Sequence, residues 1–300
     1  MSLPPDTRSA DTGVIHDIGY RGYTGPRLGR AYATRSLFTQ SLRAAYGLGR
    51  SGKSKVLPML VLGVVSVPAV VMVAIALATG AKALPLDYPR YLSSFAPVVS
   101  IFLASQAPVL LSRDLRYHTV PLYFSRPITR ADYVRAKFAA MVCAQFLLMA
   151  APLVVLYLGA VLGRLDFGHN TEHFLIGLVA ALLYALVPSS VALVIAAATP
   201  RRGFGVAGIM GYLAISTVVV AILTRIGTAT EFTVPDSAQW FALLSPNDLV
   251  ESLTNQLFDV DGAVGRMHAP GGLGAVVFTA AVLAMVSGSY GLLLRRYRSV

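Results

Sequence analysis

Residues 56–81 read VLPMLVLGVVSVPAVVMVAIALATGA, an apolar run of 26 residues without an acidic side chain, a basic side chain or a histidine. About 20 such residues in a helix cross the roughly 30 Å hydrocarbon core of a bilayer. Five more uncharged runs of 20 to 25 residues follow, at 91–111, 138–162, 174–198, 204–223 and 273–294. The sequence therefore predicts an all-α integral membrane protein whose six transmembrane helices form one domain, residues 56–294.

The composition excludes several other classes of protein. Hydrophobic residues make up 55% of the 300 and charged residues 13%, about half the charged share of an average soluble domain. The single cysteine excludes a disulfide scaffold and a zinc site built from clustered cysteines. Residues 1–55 hold nine Lys and Arg and no apolar segment, so we expect no cleavable signal peptide before the first span.

The distribution of positive charge predicts the orientation of the chain. Six spans place both termini on one side of the membrane, and 20 of the 25 Lys and Arg fall on that side, within 1–55, 112–137, 199–203 and 295–300. The positive-inside rule assigns this side, and with it both termini, to the cytoplasm. The net charge of +11 then reflects topology and contact with anionic lipid, and we expect no nucleic-acid partner.

Two short motifs match catalytic patterns without the context that such chemistry needs. Residues 47–54 satisfy the P-loop pattern, but an amphipathic helical segment precedes them and a membrane span follows, so we interpret them as a joint at the membrane surface. His169 and His173 spell H-x-x-E-H in an outer loop. A zinc site there needs a third ligand, for which His268 or an acid from the outer loop 224–272 is available. We predict neither a catalytic residue nor a bound metal, and a membrane-embedded zinc enzyme stays an alternative.

The six runs contain no ionisable side chain, which bears on how a transporter of this composition would be driven. Proton-coupled and voltage-coupled carriers place such side chains within their spans. Sodium can instead bind carbonyls and hydroxyls at a broken helix, so the segment 188–190 (Pro-Ser-Ser) keeps a sodium-coupled carrier as an alternative. A separate ATPase is the energy source that this pattern favours.

The cytoplasmic loop 112–137 carries the most specific pattern. Thr129 and Asp132 have the spacing of a capping box, which predicts that a helix begins there and continues into the third span. Residues 113–124 predict one short amphipathic helix parallel to the membrane, ending near Pro121 or Pro127.

The segments RDLRYHTVPL at 113–122 and SRPITRADY at 125–133, followed by Lys137, resemble the signature between the second and third spans of ABC-2 type permeases. Residues 15–30 also resemble the N-termini of such permeases from high-GC Gram-positive bacteria. The resemblance implies an exporter subunit that is not itself an enzyme and binds no cofactor. Its partners would be ABC ATPase subunits, which bind ATP and Mg²⁺, and a second or sister permease copy. A coupling helix would contain Arg113, Asp114, Leu115, Arg116, Tyr117, His118 and Thr119, with His118 standing where the family commonly has Gly.

Two further segments predict helices outside the spans. After a tail of residues 1–30, the segment 31–55 contains Leu37, Phe38, Leu42 and Tyr46 on one face, which predicts an elbow helix in the membrane interface and a joint. Ser245, Pro246 and Asp248 suit the start of a helix. We expect that helix to lie on or dip into the outer surface, with Glu251, Asn255 and Gln256 facing away from its leucines.

Four residues are candidates for lining a translocation path: Gln106, Gln145, Gly208 and Tyr212. An amide in a span also commonly bonds a neighbouring helix, and glycines let helices approach closely. Because no charged group lies within the spans, the sequence favours an amphipathic or hydrophobic substrate such as a drug, a natural product or a lipid.

Overall fold

The structure is a computed structural model that describes residue 25 and residues 28–81, 83–117, 119–125, 128–227, 236–259 and 270–298. All regular secondary structure in these ranges is helical. The elements in chain order are α1 (Arg30–Ala45), α2 (Lys53–Thr79), α3 (Tyr88–Leu110), α4 (Ser112–Arg116), α5 (Val120–Phe124), α6 (Arg130–Leu162), α7 (Phe167–Ala198), α8 (Arg202–Gly227), α9 (Asp236–Gln239), a 3-10 turn (Trp240–Leu244), α10 (Pro246–Phe258) and α11 (Gly271–Arg298).

Six of these helices, α2, α3, α6, α7, α8 and α11, are long and apolar enough to cross a membrane, which confirms the six spans that the sequence predicts. Two of them begin well before the predicted apolar runs. The predicted capping box of Thr129 and Asp132 is confirmed, and it starts α6 at Arg130. The side chain of Asp166 accepts a hydrogen bond from the backbone of His169 and so starts α7 ahead of the predicted run 174–198.

The spans form a bundle with α3, α6 and α7 at its centre and α2, α8 and α11 at its periphery. The peripheral helices expose apolar side chains such as Val67, Ile215 and Leu283, as helices that face lipid do. We use "inner end" for the end of the bundle that carries α1, α4 and α5, and "outer end" for the opposite end, after the orientation that the sequence predicts.

The central helices α3 and α7 pack closely along their length. A Cβ atom at Gly177 of α7 would lie 2.8 Å from Cβ of Tyr88, so only glycine permits this approach. The Tyr88 hydroxyl donates to Oδ1 of Asn170 at 3.2 Å near the outer end. At the inner end the hydroxyl of Ser112 donates to the carbonyl oxygen of Ala196 at 2.8 Å. The pair is therefore joined directly near its outer end, and at its inner end through the first residue of α4, which follows α3.

Helix α1 covers most of the predicted elbow segment and packs along α6. Arg30 makes a two-bond ion pair with Asp132, with Nε to Oδ2 at 2.5 Å and Nη2 to Oδ1 at 3.0 Å. At the other end of α1 the Tyr46 hydroxyl donates to the carbonyl oxygen of Ala144 at 2.7 Å. From Asp132 to Ala144 a helix rises about 18 Å, so α1 follows α6 over several turns. Its position in the membrane interface stays a prediction.

The sequence predicts that α10 lies on the outer surface or dips into it, and the structure shows that it dips into the bundle, with the polar side chains of Glu251 and Asn255 buried. Every residue of α10 from Pro246 to Asn255 is buried, and the helix packs against α7, α11, α8 and α3. Its first residues contact Ser100 and Thr217, which lie near the middle of α3 and α8. Helix α10 is thus re-entrant, which lipid tolerates because protein surrounds it on all sides.

A close contact between α2 and α6 provides a test of this bundle. A Cβ atom at Gly159 would lie 2.3 to 2.9 Å from side-chain atoms of Val73, so we expect Gly159→Ala to lower the free energy of unfolding by about 1–3 kcal/mol. Adding Val73→Ala should recover most of that loss. Gly211→Ala is the control because nothing lies within 4 Å of its Cβ position. Thermal unfolding in detergent measures all three, and equal stability of Gly159→Ala and Gly211→Ala would contradict the packing.

Candidate functional site

The loop at the inner end forms two short helices instead of the single helix predicted over residues 113–124. Helix α4 ends at Arg116 and α5 begins at Val120, with a turn between them. Pro121 explains the break, because within a continuous helix it would remove a backbone hydrogen bond and clash with the carbonyl of residue 117. In the first turn of α5 a missing N–H has no cost. His118, Arg126 and Pro127 lie outside the described residues.

One side of α4 is bonded to the bundle. The Asp114 carboxylate accepts a hydrogen bond from the Tyr133 hydroxyl at 2.7 Å and forms an ion pair with Nζ of Lys137 at 2.9 Å. Both partners lie on α6, so α4 is fixed to α6. Both side chains of this ion pair are largely buried. Thr119 donates its backbone N–H to the Asp114 carbonyl oxygen at 3.0 Å, and Leu115 is half-buried against the core. Asp114, the acid of the sequence pattern, thus attaches the loop to α6.

The other side of α4 and α5 is exposed and forms what we call the inner surface patch: Arg113, Arg116, Tyr117, Pro121 and Leu122. Tyr117 and Leu122 are 62% and 67% exposed, so two large apolar side chains lie at the surface of this loop. Arg50 lies close by, where burial and the neighbouring charges of Arg113 and Arg202 lower its pKa. The exposed side of the loop therefore carries both large apolar side chains and cations.

A second polar region lies inside the bundle, around the first turns of α10. We call it the polar layer, and its members are Ser100 on α3, Gln145 on α6, Tyr184 and Ser189 on α7, Thr217 on α8, and Ser245, Asn247, Asp248 and Glu251 at the re-entrant segment. Asn247 donates to Ser100 at 3.4 Å, and the hydroxyls of Thr217 and Ser245 are 3.1 Å apart. Four elements of the bundle thus meet α10 or its neighbours through polar side chains.

Asp248 is the distinctive member of the polar layer. The residue is 7% exposed, and its Oδ2 atom is buried without a hydrogen-bond partner among the described residues. Burial raises the pKa of the Asp248 carboxyl above its ordinary value, while hydrogen bonds from Ser245 and Thr217 oppose that shift. Glu251 is buried one turn further along α10. A carboxyl in such surroundings holds a proton or takes up a cation.

The position of these two acids corrects an inference from the sequence. The six apolar runs contain no ionisable residue, as stated above, but Asp248 and Glu251 reach the middle of the bundle on a helix that is not a span. The sequence does not reveal that α10 is buried, because its pattern of leucines and polar residues is that of a surface helix. An apolar substrate therefore no longer follows from an absence of acids inside the bundle.

The four predicted lining residues differ in their surroundings. Gln145 is buried, donates to the Tyr184 carbonyl oxygen at 3.1 Å and accepts from Ser189 at 3.4 Å, as an amide between neighbouring helices does. Gln106 is buried and donates to Ser105. Gly208 and Tyr212 lie on an exposed face of α8. Gln145 alone among the four lies in the polar layer, and a lining role for any of the four stays a prediction.

The structure also describes the two short motifs that match catalytic patterns. The P-loop match follows helix α1, and Gly47 and Gly49 have positive φ angles in the turn before α2. The predicted interpretation as a joint fits this geometry, because a P-loop follows a strand. His169 and His173 occupy the first turns of α7, beside Asp87 at the start of α3. His268, the other predicted ligand, lies outside the described residues.

Comparison with known proteins adds no family assignment: no protein-family model matches the chain, and no curated protein matches it.

The buried carboxyl of Asp248 should make the stability of the native state depend on pH. A raised pKa means that native Asp248 keeps a proton that the unfolded chain releases above about pH 4, so the native state loses stability as pH rises from there to the native pKa. Asn is neutral and nearly isosteric. We therefore expect Asp248→Asn to match the wild type near pH 4 and to become progressively more stable than it as pH rises, by about 1.4 kcal/mol for each unit by which the pKa is raised.

Thermal unfolding from pH 4 to pH 8 measures this difference. Tyr184 and Glu251 are titratable neighbours of Asp248, and both are kept in the variant. Asp166→Asn is the control for loss of one negative charge, because Asp166 is exposed and Asn also caps helices. A stability difference between Asp248→Asn and the wild type that does not change with pH would contradict a protonated buried carboxyl.

Proposed function

We propose that the chain is the permease subunit of an ATP-driven exporter of the ABC-2 type. It would lie in the bacterial cell membrane with both termini in the cytoplasm, as a dimer with a second or sister copy. Two ATPase subunits would bind ATP and Mg²⁺ and hydrolyse ATP, so this chain would not itself be an enzyme. The residues at 113–133 that resemble the family signature motivate the proposal.

The observation that carries the proposal is the two-sided arrangement of α4 and α5. The exposed side of these two helices is the inner surface patch. Its side chains Tyr117 and Leu122 suit an apolar contact with a partner protein. The inward side of the two helices is fixed to α6 through Asp114 and to α7 through Ser112. A force applied by a partner at the patch would thus reach two central helices directly, as a coupling helix requires.

The proposed substrate is an amphipathic or hydrophobic molecule: a drug, a natural product or a lipid. The apolar faces of the peripheral helices suit entry from the lipid. The polar layer would bind the polar part of such a molecule, since hydroxyl and amide groups of α3, α6, α7 and α8 lie there with the carboxyl groups of α10. An export assay with a matched panel of ions and amphipathic compounds tests this, and export of ions alone would contradict it.

The inner surface patch generates the decisive binding experiment. The ABC ATPase encoded beside this chain is co-expressed with it, and the complex is purified and assayed for ATP hydrolysis in lipid. We expect a stable complex, and we expect Tyr117→Ala combined with Leu122→Ala to weaken it at least about tenfold, because exposed anchors at the centre of an interface carry much of the binding energy. Neither side chain supports the fold, since both are largely exposed.

Phe167→Ala is the matched control, since Phe167 is 65% exposed at the outer end, away from the patch. The double variant Asp114→Ala, Thr119→Ala complements this pair by removing the attachment of α4 to α6, and its thermal stability must be measured alongside. If the wild type binds no ATPase, the permease proposal is wrong. If it binds but the patch variant binds equally well, the partner docks elsewhere.

A second candidate, a sodium-coupled carrier, is favoured by the polar layer. Re-entrant or broken helices that end near the middle of a membrane commonly form coupling-ion sites, and a buried carboxyl beside hydroxyls offers oxygen ligands. Uptake into proteoliposomes without any ATPase, driven by a sodium gradient and abolished in Asp248→Asn, would establish this candidate. Transport that requires the ATPase and ignores the gradient would exclude it.

A further inference from the structure

Three side chains with metal-binding atoms converge at the outer end of the bundle. Asp87 precedes α3, and His169 and His173 lie in the first turns of α7. One ligand atom from each residue can be chosen so that all three lie within 4.8 Å of one another. Asp87, the third member of the cluster, lies at the start of α3 and not in the outer loop 224–272, where the sequence suggested a third ligand.

The two histidines are held on one face of α7. Residues four apart in a helix lie above one another, and the two imidazole rings are 4.0 Å apart between their centroids. The Asp166 carboxylate accepts the backbone N–H of His169 at 3.0 Å and so fixes the first turn of α7 around them. The histidines thus approach each other on a regular and capped helix.

Asp87 is positioned by its neighbour in the chain. Tyr88 packs against Gly177 and donates to Asn170 at 3.2 Å, which joins the start of α3 to the face of α7 that carries the histidines. Phe174 packs beneath, edge-on to Tyr88 with ring centroids 6.0 Å apart. Asp87 is therefore held beside the histidines by buried contacts that do not involve its own carboxylate.

One nitrogen of the cluster is left without a bond. Nδ1 of His173 is buried and has no hydrogen-bond partner among the described residues, and it lies 3.9 Å from Oδ1 of Asp87. That distance is too long for a hydrogen bond, and an unsatisfied buried nitrogen carries a cost of about 1–3 kcal/mol. An ion bound to both atoms at about 2 Å would satisfy the nitrogen after a small rotation of the side chains.

We propose that Asp87, His169 and His173 bind one zinc ion, which joins the outer ends of α3 and α7 and leaves a fourth position open to water. Two imidazoles and a carboxylate form a ligand set that zinc accepts in a tetrahedral site. Glu172, the acid within the H-x-x-E-H motif, is exposed and outside the cluster, so the pattern is that of a binding site and not of a protease. The proposal does not depend on what the chain transports.

Zinc titration of the purified protein tests the site. The full-length chain is freed of any histidine tag, reconstituted in lipid nanodiscs and titrated with Zn²⁺ by calorimetry, and bound zinc is counted by elemental analysis after gel filtration. We expect one zinc ion per chain. His169→Ala and His173→Ala should each weaken binding at least about 100-fold, and Asp87→Asn at least about tenfold, because each removes one of three ligands.

Glu172→Gln is the matched control, since it changes an acid within the same two turns of α7 and should leave zinc affinity unchanged. Thermal unfolding separates loss of a ligand from loss of the fold. Without zinc the four variants should unfold near the wild-type temperature, and zinc should raise that temperature for the wild type and Glu172→Gln only.

Two results would overturn the proposal. One is a wild-type chain that binds no more zinc than the double variant Asp87→Asn, His173→Ala. The other is zinc binding that disappears in Glu172→Gln while the Asp87→Asn variant retains it, because the ligands would then be those of the motif and not those of the cluster.

Discussion

The close approach of α3 and α7 is the contact on which the other sites depend. At its outer end Tyr88 lies against Gly177, which brings Asp87 beside the two histidines of α7. Midway along the pair, Ser100 and Tyr184 line the space that α10 enters. At the inner end α4 is bonded to α7. A side chain larger than hydrogen at residue 177 would separate the helices at their outer end and displace Asp87 from the histidines.

The re-entrant helix α10 explains why so many polar groups lie inside an apolar bundle. A helix that begins in the protein interior leaves its first backbone N–H groups without intrahelical acceptors. Ser245 accepts from the backbone of Asp248, and Pro246 has no N–H to satisfy, so the start of α10 is provided for locally. The need to cap α10 explains the presence of Ser245. It does not explain why Oδ2 of Asp248 is buried without a hydrogen-bond partner among the described residues. That atom is available for a proton, an ion or a polar group of a substrate.

Much of the fold follows from local sequence pattern, and the rest depends on which surfaces meet. Span number follows from uncharged length, and the start of α6 follows from the spacing of Thr129 and Asp132. The break before α5 could have been predicted from Pro121. The burial of α10 could not, because its amphipathic pattern shows two faces without showing whether water or a protein interior lies against the polar one. The joining of Asp87 to the histidines is likewise a property of tertiary packing.

The proposed coupling mechanism has a physical route from the inner surface patch to the polar layer. Helix α4 contacts the inner ends of α7 and α8, which a short connection joins. Thr217 on α8 lies 3.1 Å from Ser245, the residue that caps α10 beside Asp248. A shift of α8 relative to the α3–α7 pair would therefore break this contact and change the surroundings of the buried carboxyl. In the proposed mechanism, docking at one end and exposure of the buried carboxyl at the middle would thus be linked by one peripheral helix. The peripheral helices are the least buried elements of the bundle and the freest to move.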